Sequence, residues 1–121
     1  MNMQQYVLLS GIFFAMTIII GIWLSRSGKP YNTAILTIHK LIALAAIVIA
    51  CLLFVNIYKI VETGTFLIAF TCGAGISVLA LLATGAVMSI KKTSTTLLRV
   101  LHITATVLAI GFTSVILYLI V

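Results

Sequence analysis

His39 and His102 are the only histidines in a chain of 121 residues. They lie in the segments TIHKLIALAA and VLHITATVLA, each about two turns inside the start of a long apolar stretch, and each opens a run of small side chains. An imidazole offers two ring nitrogens that bind protons or metals, and inside hydrocarbon it needs a partner. Two imidazoles in matched surroundings point to one partner shared by both.

The elements that position them follow from composition. The chain is 64% hydrophobic and 7% charged. A soluble domain of this length could not hide that much apolar surface. Uncharged runs cover residues 6–24, 41–58, 66–90 and 100–121, and a membrane span takes roughly 20 apolar residues. The pattern predicts an all-α membrane protein with helices at about 5–25, 33–58, 65–90 and 95–121. The breaks between them carry turn and polar residues: Arg26-Ser27-Gly28-Lys29-Pro30, Val61-Glu62-Thr63-Gly64 and Lys91-Lys92-Thr93-Ser94. Links this short make neighbouring helices antiparallel, which predicts an up-and-down four-helix bundle forming one domain over residues 1–121.

Six of the seven basic residues, Arg26, Lys29, Lys40, Lys91, Lys92 and Arg99, belong to the breaks after helices one and three or to the helix starts that follow. Lys59 lies at the other face, beside the lone acid Glu62. The positive-inside rule then places both basic breaks in the cytoplasm and both termini outside, with the inner or plasma membrane of a bacterium or archaeon as the expected location. The net charge of +6 hugs helix ends, so it reads as a topology signal and not as a nucleic-acid surface. The opening MNMQQ lacks the positive stretch of a signal peptide, so the first helix is expected to stay.

The two halves read as a parallel repeat. Gly21 precedes His39 by 18 positions and Gly85 precedes His102 by 17, with a basic break between glycine and histidine in both cases. Ala43, Ala46 and Ala50 follow His39 at the offsets where Thr106, Ala109 and Thr113 follow His102. These offsets share one helix face. The repeat predicts a duplicated two-helix hairpin about an axis along the membrane normal.

In such a bundle helices two and four run the same way and stand at opposite corners. Neighbouring axes lie about 8–10 Å apart, which makes the diagonal about 11–14 Å. The histidines start at similar depth, roughly 9–10 Å inside their helices at about 1.5 Å per residue. Pointed at the bundle axis, the two rings are too far apart to bond each other. The gap suits a metalloporphyrin held edge-on, with His39 and His102 as axial ligands to its iron. Ala43, Ala46, Thr106 and Ala109 leave room beside the ligands, and Gly21 and Gly85 fall near the same level and could admit the porphyrin edges. The propionates need cations. Arg99, one turn before His102, is the best placed, because a guanidinium grips a carboxylate with two parallel bonds. Lys40, Arg26, Lys29, Lys91 and Lys92 are weaker candidates, each also having a topology role.

With these residues in view, the chain resembles the four-helix b-type cytochromes of membranes, in which a bundle binds haem through paired histidines near one face. The resemblance rests on IHKLIALA, LRVLHITATVLA and the four-helix frame. Members of that family often carry two haems on four histidines, whereas this chain has two histidines. The resemblance therefore implies one haem b per chain and a single-haem electron carrier that exchanges electrons with quinone or a redox partner protein, in a lipid bilayer, as a monomer or homo-oligomer.

Other chemistry finds little support. Cys51 lies 12 residues beyond His39, roughly 18 Å along a helix, too far for a shared zinc site. Cys51 and Cys72 lie at similar depth on adjacent helices; a disulfide between them is geometrically open, yet buried cysteines more often act as small apolar residues. Met88, near the level of the histidines, is an alternative axial ligand. Small-residue pairs such as Gly11/Ala15 and Ala69/Gly73/Ser77 serve helix packing. The chain has no Ser-His-Asp set, phosphate loop or paired carboxylates, so hydrolytic and phosphoryl-transfer catalysis are not expected. Two further classes stay open: a cofactor-free accessory subunit of a membrane complex, and a small transporter. The transporter ranks last, because no acid lies in any span and proton coupling would fall to the histidines.

Overall fold

Helix ends in this protein are set by capping side chains that hydropathy does not register. Asn2 and Gln5 form a reciprocal capping box: Asn2 Oδ1 accepts from the Gln5 main-chain N–H and Gln5 Oε1 accepts from the Asn2 N–H, both at 2.9 Å. Two orphan donors are satisfied at once, so α1 (Met3–Ser27) starts three residues before the apolar run that opens at Tyr6. It stops at Gly28, whose φ of 71° suits a residue without Cβ and whose N–H bonds the Leu24 carbonyl. The Asn32 side chain caps α2 (Thr33–Ile60) by accepting from Ala34 N–H at 2.9 Å and Ile35 N–H at 3.3 Å. The remaining helices are α3 (Thr65–Ile90) and α4 (Thr96–Ile120).

The computed structural model describes residues 1–28, 31–62, 64–90 and 96–120. Lys29, Lys91 and Lys92, with Pro30, Thr63, Thr93 and Ser94 of the expected breaks and the expected helix-end positions Thr95 and Val121, lie outside the described residues. All four helices are long and apolar enough to cross a membrane. No strand occurs among the described residues. The all-α, four-helix class expected from hydropathy is the one observed, and the chain has the character of an integral membrane protein.

The chain divides into two compact units, residues 1–60 and 61–121. In the first, α1 packs antiparallel on α2; in the second, α3 packs on α4. Both are helical hairpins of the kind the repeat predicts. The likeness extends to burial: Ala46 and Ala109 are buried seven residues after their histidines, and Leu53 and Ile116 fourteen after. A spacing of seven keeps side chains on one seam of a helix. Large side chains elsewhere, such as Ile19, Leu41, Leu79 and Ile103, stay exposed, which suits contact with lipid.

Several hydroxyl groups within the spans bond back to their own helices. Thr17 donates to the Phe13 carbonyl at 2.8 Å, Thr71 to Leu67 at 2.7 Å and Ser77 to Gly73 at 2.9 Å. Bonding four residues back satisfies these hydroxyls within hydrocarbon. Gly73 also lets two helices close up. A Cβ there would meet Phe112 Cε1 at 2.8 Å and Cζ at 2.9 Å, and that ring packs on Phe70 with centroids 5.8 Å apart. Because a flat aromatic ring cannot fold away, Gly73→Ala is expected to cost about 1–3 kcal/mol. The thermal midpoint of the detergent-solubilised protein should fall accordingly. Gly75→Ala, with nothing within 4 Å of its Cβ position, is the matched control and should leave the midpoint unchanged.

Candidate functional site

The histidines occupy the same place in their helices. His39 is the seventh residue of α2 and His102 the seventh of α4, since each helix opens on a threonine, Thr33 and Thr96. At about 1.5 Å per residue both imidazoles start about 9 Å inside. Each leans on the glycine that the repeat pairs with it. A Cβ on Gly21 would lie 3.0 Å from His39 Cε1, 3.6 Å from Nδ1 and 3.8 Å from Nε2; a Cβ on Gly85 would lie 3.5 Å from His102 Cε1. The space opened by each glycine is therefore filled by the histidine of its own hairpin. The space expected to admit porphyrin edges beside Gly21 and Gly85 is taken by the imidazole rings. The physical reason is proximity: in an antiparallel hairpin the glycine and histidine stand level, and the ring is the nearest group able to fill the notch.

His102 is held by a hydrogen bond as well. Its Nδ1 lies 2.8 Å from Thr84 Oγ1, on the facing helix. That hydroxyl also lies 2.7 Å from the Ala80 carbonyl and 3.3 Å from the Leu81 carbonyl. His39 has no such anchor. Its Nδ1 is buried without a hydrogen-bond partner, although the Thr17 main chain is close enough to interact with the ring. The residue that corresponds to Thr84 in the first hairpin is Ile20, which has no hydroxyl. The two seats thus share a glycine and differ in their polar contact.

No family model, curated protein or solved structure matches this chain.

The other candidate residues fall into two groups. Ala46 and Ala109 are buried, Ala43 and Thr106 half-buried. The Thr106 hydroxyl donates to the His102 carbonyl at 2.9 Å, so the methyl and not the hydroxyl is what it adds to the helix face. Arg99 and Lys40 are exposed, three residues before His102 and one after His39 respectively. Exposed long side chains near helix starts can reach the membrane interface. Met88 is half-buried near the end of α3. Cys51 and Cys72 are free, exposed thiols, not the buried apolar fillers expected.

Fold and packing bring together Gly21 with His39, and Thr84 and Gly85 with His102. Each seat is complete within its own hairpin. Thr84 escaped the sequence reading. The signal for it was available as a hydroxyl residue one position before the repeat glycine, where the first half has an isoleucine.

Among the described residues no group of three or more His, Cys, Asp or Glu could hold a metal ion. A bare zinc or similar ion takes three or four protein ligands. Two imidazoles are a sufficient protein contribution where a porphyrin supplies the in-plane nitrogens. Two imidazoles are therefore a donor set whose chemistry fits haem iron.

Proposed function

We propose that this protein is a membrane-embedded b-type cytochrome that binds one haem through His39 and His102 and carries electrons. The observation supporting this most directly is the matched pair of histidines, each at the seventh position of its helix and each seated on a repeat-related glycine. Packing alone would not require imidazole at both places, since alanine, leucine or phenylalanine fills a helix interface without a polar cost. Haem held by His39 and His102 would supply a one-electron iron couple.

The chain's own residues do the rest. His39 and His102 supply the ligand nitrogens from α2 and α4. The small side chains Ala43, Ala46, Thr106 and Ala109 leave width for a flat ring. Gly21 and Gly85 set the tilt of the imidazoles. Arg99, helped by Lys40, pairs with the propionates at the basic end, which the positive-inside rule assigns to the cytoplasm with both termini outside. The electron partner is a quinone or a redox protein in the same inner or plasma membrane. Arg99→Ala is expected to lower the midpoint potential modestly, because a nearby cation favours the reduced, less positive iron. A spectroelectrochemical titration of purified wild type and variant measures this, and identical potentials and occupancies would remove Arg99 from the site.

One observation favours a second reading. Thr84 satisfies His102 inside its own hairpin, which is also what a cofactor-free accessory subunit with structural histidines would do. Colour separates the two. An absorption spectrum of the detergent-purified protein, oxidised and then dithionite-reduced, with a pyridine haemochrome assay, should show a low-spin b-type haem at one per chain. A colourless protein that also fails to take up added hemin sinks the cytochrome reading.

A further inference from the structure

Thr84 has one hydroxyl proton and more than one short contact to make with it. Its Oγ1 stands 2.7 Å from the Ala80 carbonyl oxygen and 2.8 Å from His102 Nδ1. Two oxygens at 2.7 Å repel unless a proton lies between them, and a carbonyl has none to give. The hydroxyl proton therefore belongs to the Ala80 contact. The 2.8 Å contact to nitrogen then needs its proton from the imidazole, and Nδ1–H donates to Thr84 Oγ1. In a neutral imidazole with Nδ1 protonated, Nε2 carries the lone pair.

We infer that Thr84 is a positioning residue that holds His102 as its Nδ1–H tautomer and so makes Nε2 its metal-binding nitrogen. The statement about iron rests on the cytochrome reading; the statement about the tautomer does not. Thr84 also fixes the ring about its long axis, because the bond crosses from α3 to α4 at the level of Gly85. Gly85 by itself clamps loosely, with the ring 3.5 Å from where a Cβ would be.

The first hairpin solves the same problem differently. Ile20 offers no acceptor at the corresponding position, and His39 Nδ1 is buried without a hydrogen-bond partner. There the ring is held by close packing, with Cε1 3.0 Å from the Cβ position of Gly21. The two histidines are thus held differently: His102 is set in advance by a side-chain hydrogen bond across its hairpin, while His39 is confined by close packing with the Thr17 main chain beside its ring. Second-shell partners of metal-bound histidines fix tautomer and orientation, and losing one typically lowers metal affinity roughly 10–100-fold.

The test uses the full-length protein with ¹⁵N-labelled histidine in lipid nanodiscs, first without haem. Long-range ¹H–¹⁵N correlation reads the protonated nitrogen of each ring, and the two rings are assigned by the signal lost in His39→Ala. His102 should show protonated Nδ1 and unprotonated Nε2. Thr84→Val, which keeps the shape and removes the hydroxyl, should convert it to a tautomer mixture; Thr84→Ser should keep the wild-type pattern. In hemin titrations Thr84→Val should bind roughly 10-fold more weakly or worse, with altered low-spin electron paramagnetic resonance g-values, and Thr84→Ser should match wild type. Protonated Nε2 in neutral wild-type His102 overturns the inference, as does a tautomer unmoved by Thr84→Val. Equal hemin affinity and equal g-values in wild type and Thr84→Val overturn its iron clause while the cytochrome reading stands. A locked tautomer in a protein that binds no hemin upholds the Thr84 assignment and sinks the cytochrome reading. If Thr84→Val fails to fold, the wild-type tautomer alone still decides the central statement.

Discussion

Haem is expected to disappear from the protein altogether when His39 and His102 are both replaced by alanine. In this reading His39 and His102 would be the whole protein contribution to the iron. Each single variant should lose most of its haem or turn high-spin, because one axial bond remains and the sixth position opens. The two need not fail equally. His39→Ala leaves the Thr84-held His102 in place, whereas His102→Ala leaves only the sterically confined His39. Retention should therefore be better in His39→Ala. Met88→Leu is the control, and it should keep wild-type haem content and spectrum if methionine is not a ligand. Haem per chain by pyridine haemochrome, beside the reduced-minus-oxidised spectrum, is the measurement. Full occupancy in the double variant would falsify the ligand assignment.

The second large effect falls on one glycine and spares its repeat partner. Gly21→Ala places a methyl 3.0 Å from His39 Cε1, tighter than a carbon–carbon contact tolerates, so the ring must move by a few tenths of an ångström. Gly85→Ala places one 3.5 Å from His102 Cε1, an ordinary contact. Gly21→Ala should accordingly cut haem occupancy and broaden the low-spin signal. Gly85→Ala should leave both near wild type, since Thr84 keeps its hold on His102. A comparison of hemin affinity across the two variants decides it. Equal loss in both would mean that the glycines act alike, as generic helix contacts, and that the seats do not differ in the way their distances imply.

Much of this was legible in the residues. Four apolar runs specify four helices because lipid solvates side chains but not main-chain groups, and only an internally bonded helix satisfies both. The short breaks make α1 antiparallel to α2 and α3 antiparallel to α4, because so few residues can only turn the chain back on itself. The repeat of glycine, basic break and histidine anticipated that Gly21 would stand level with His39 and Gly85 with His102, and they touch. Helix starts were less legible. The capping box of Asn2 and Gln5 advanced α1 to Met3, and it works through local hydrogen bonds that an apolar average does not contain.

The sequence by itself determined the class of the protein, the equal depth of its two histidines and the level of a glycine with each of them, because these depend only on residue type and on counting along a helix. The tertiary structure alone decided what each glycine notch holds, that Gly21 clamps its ring more tightly than Gly85, and that Thr84 bonds the His102 ring. Those outcomes turn on how far each helix is rotated about its own axis and how closely it approaches its neighbour. A few tenths of an ångström separate a clamp from a contact, and a few degrees separate a hydrogen bond from none. Such small rotations are set by the packing of many side chains at once, which a repeat of single letters does not record.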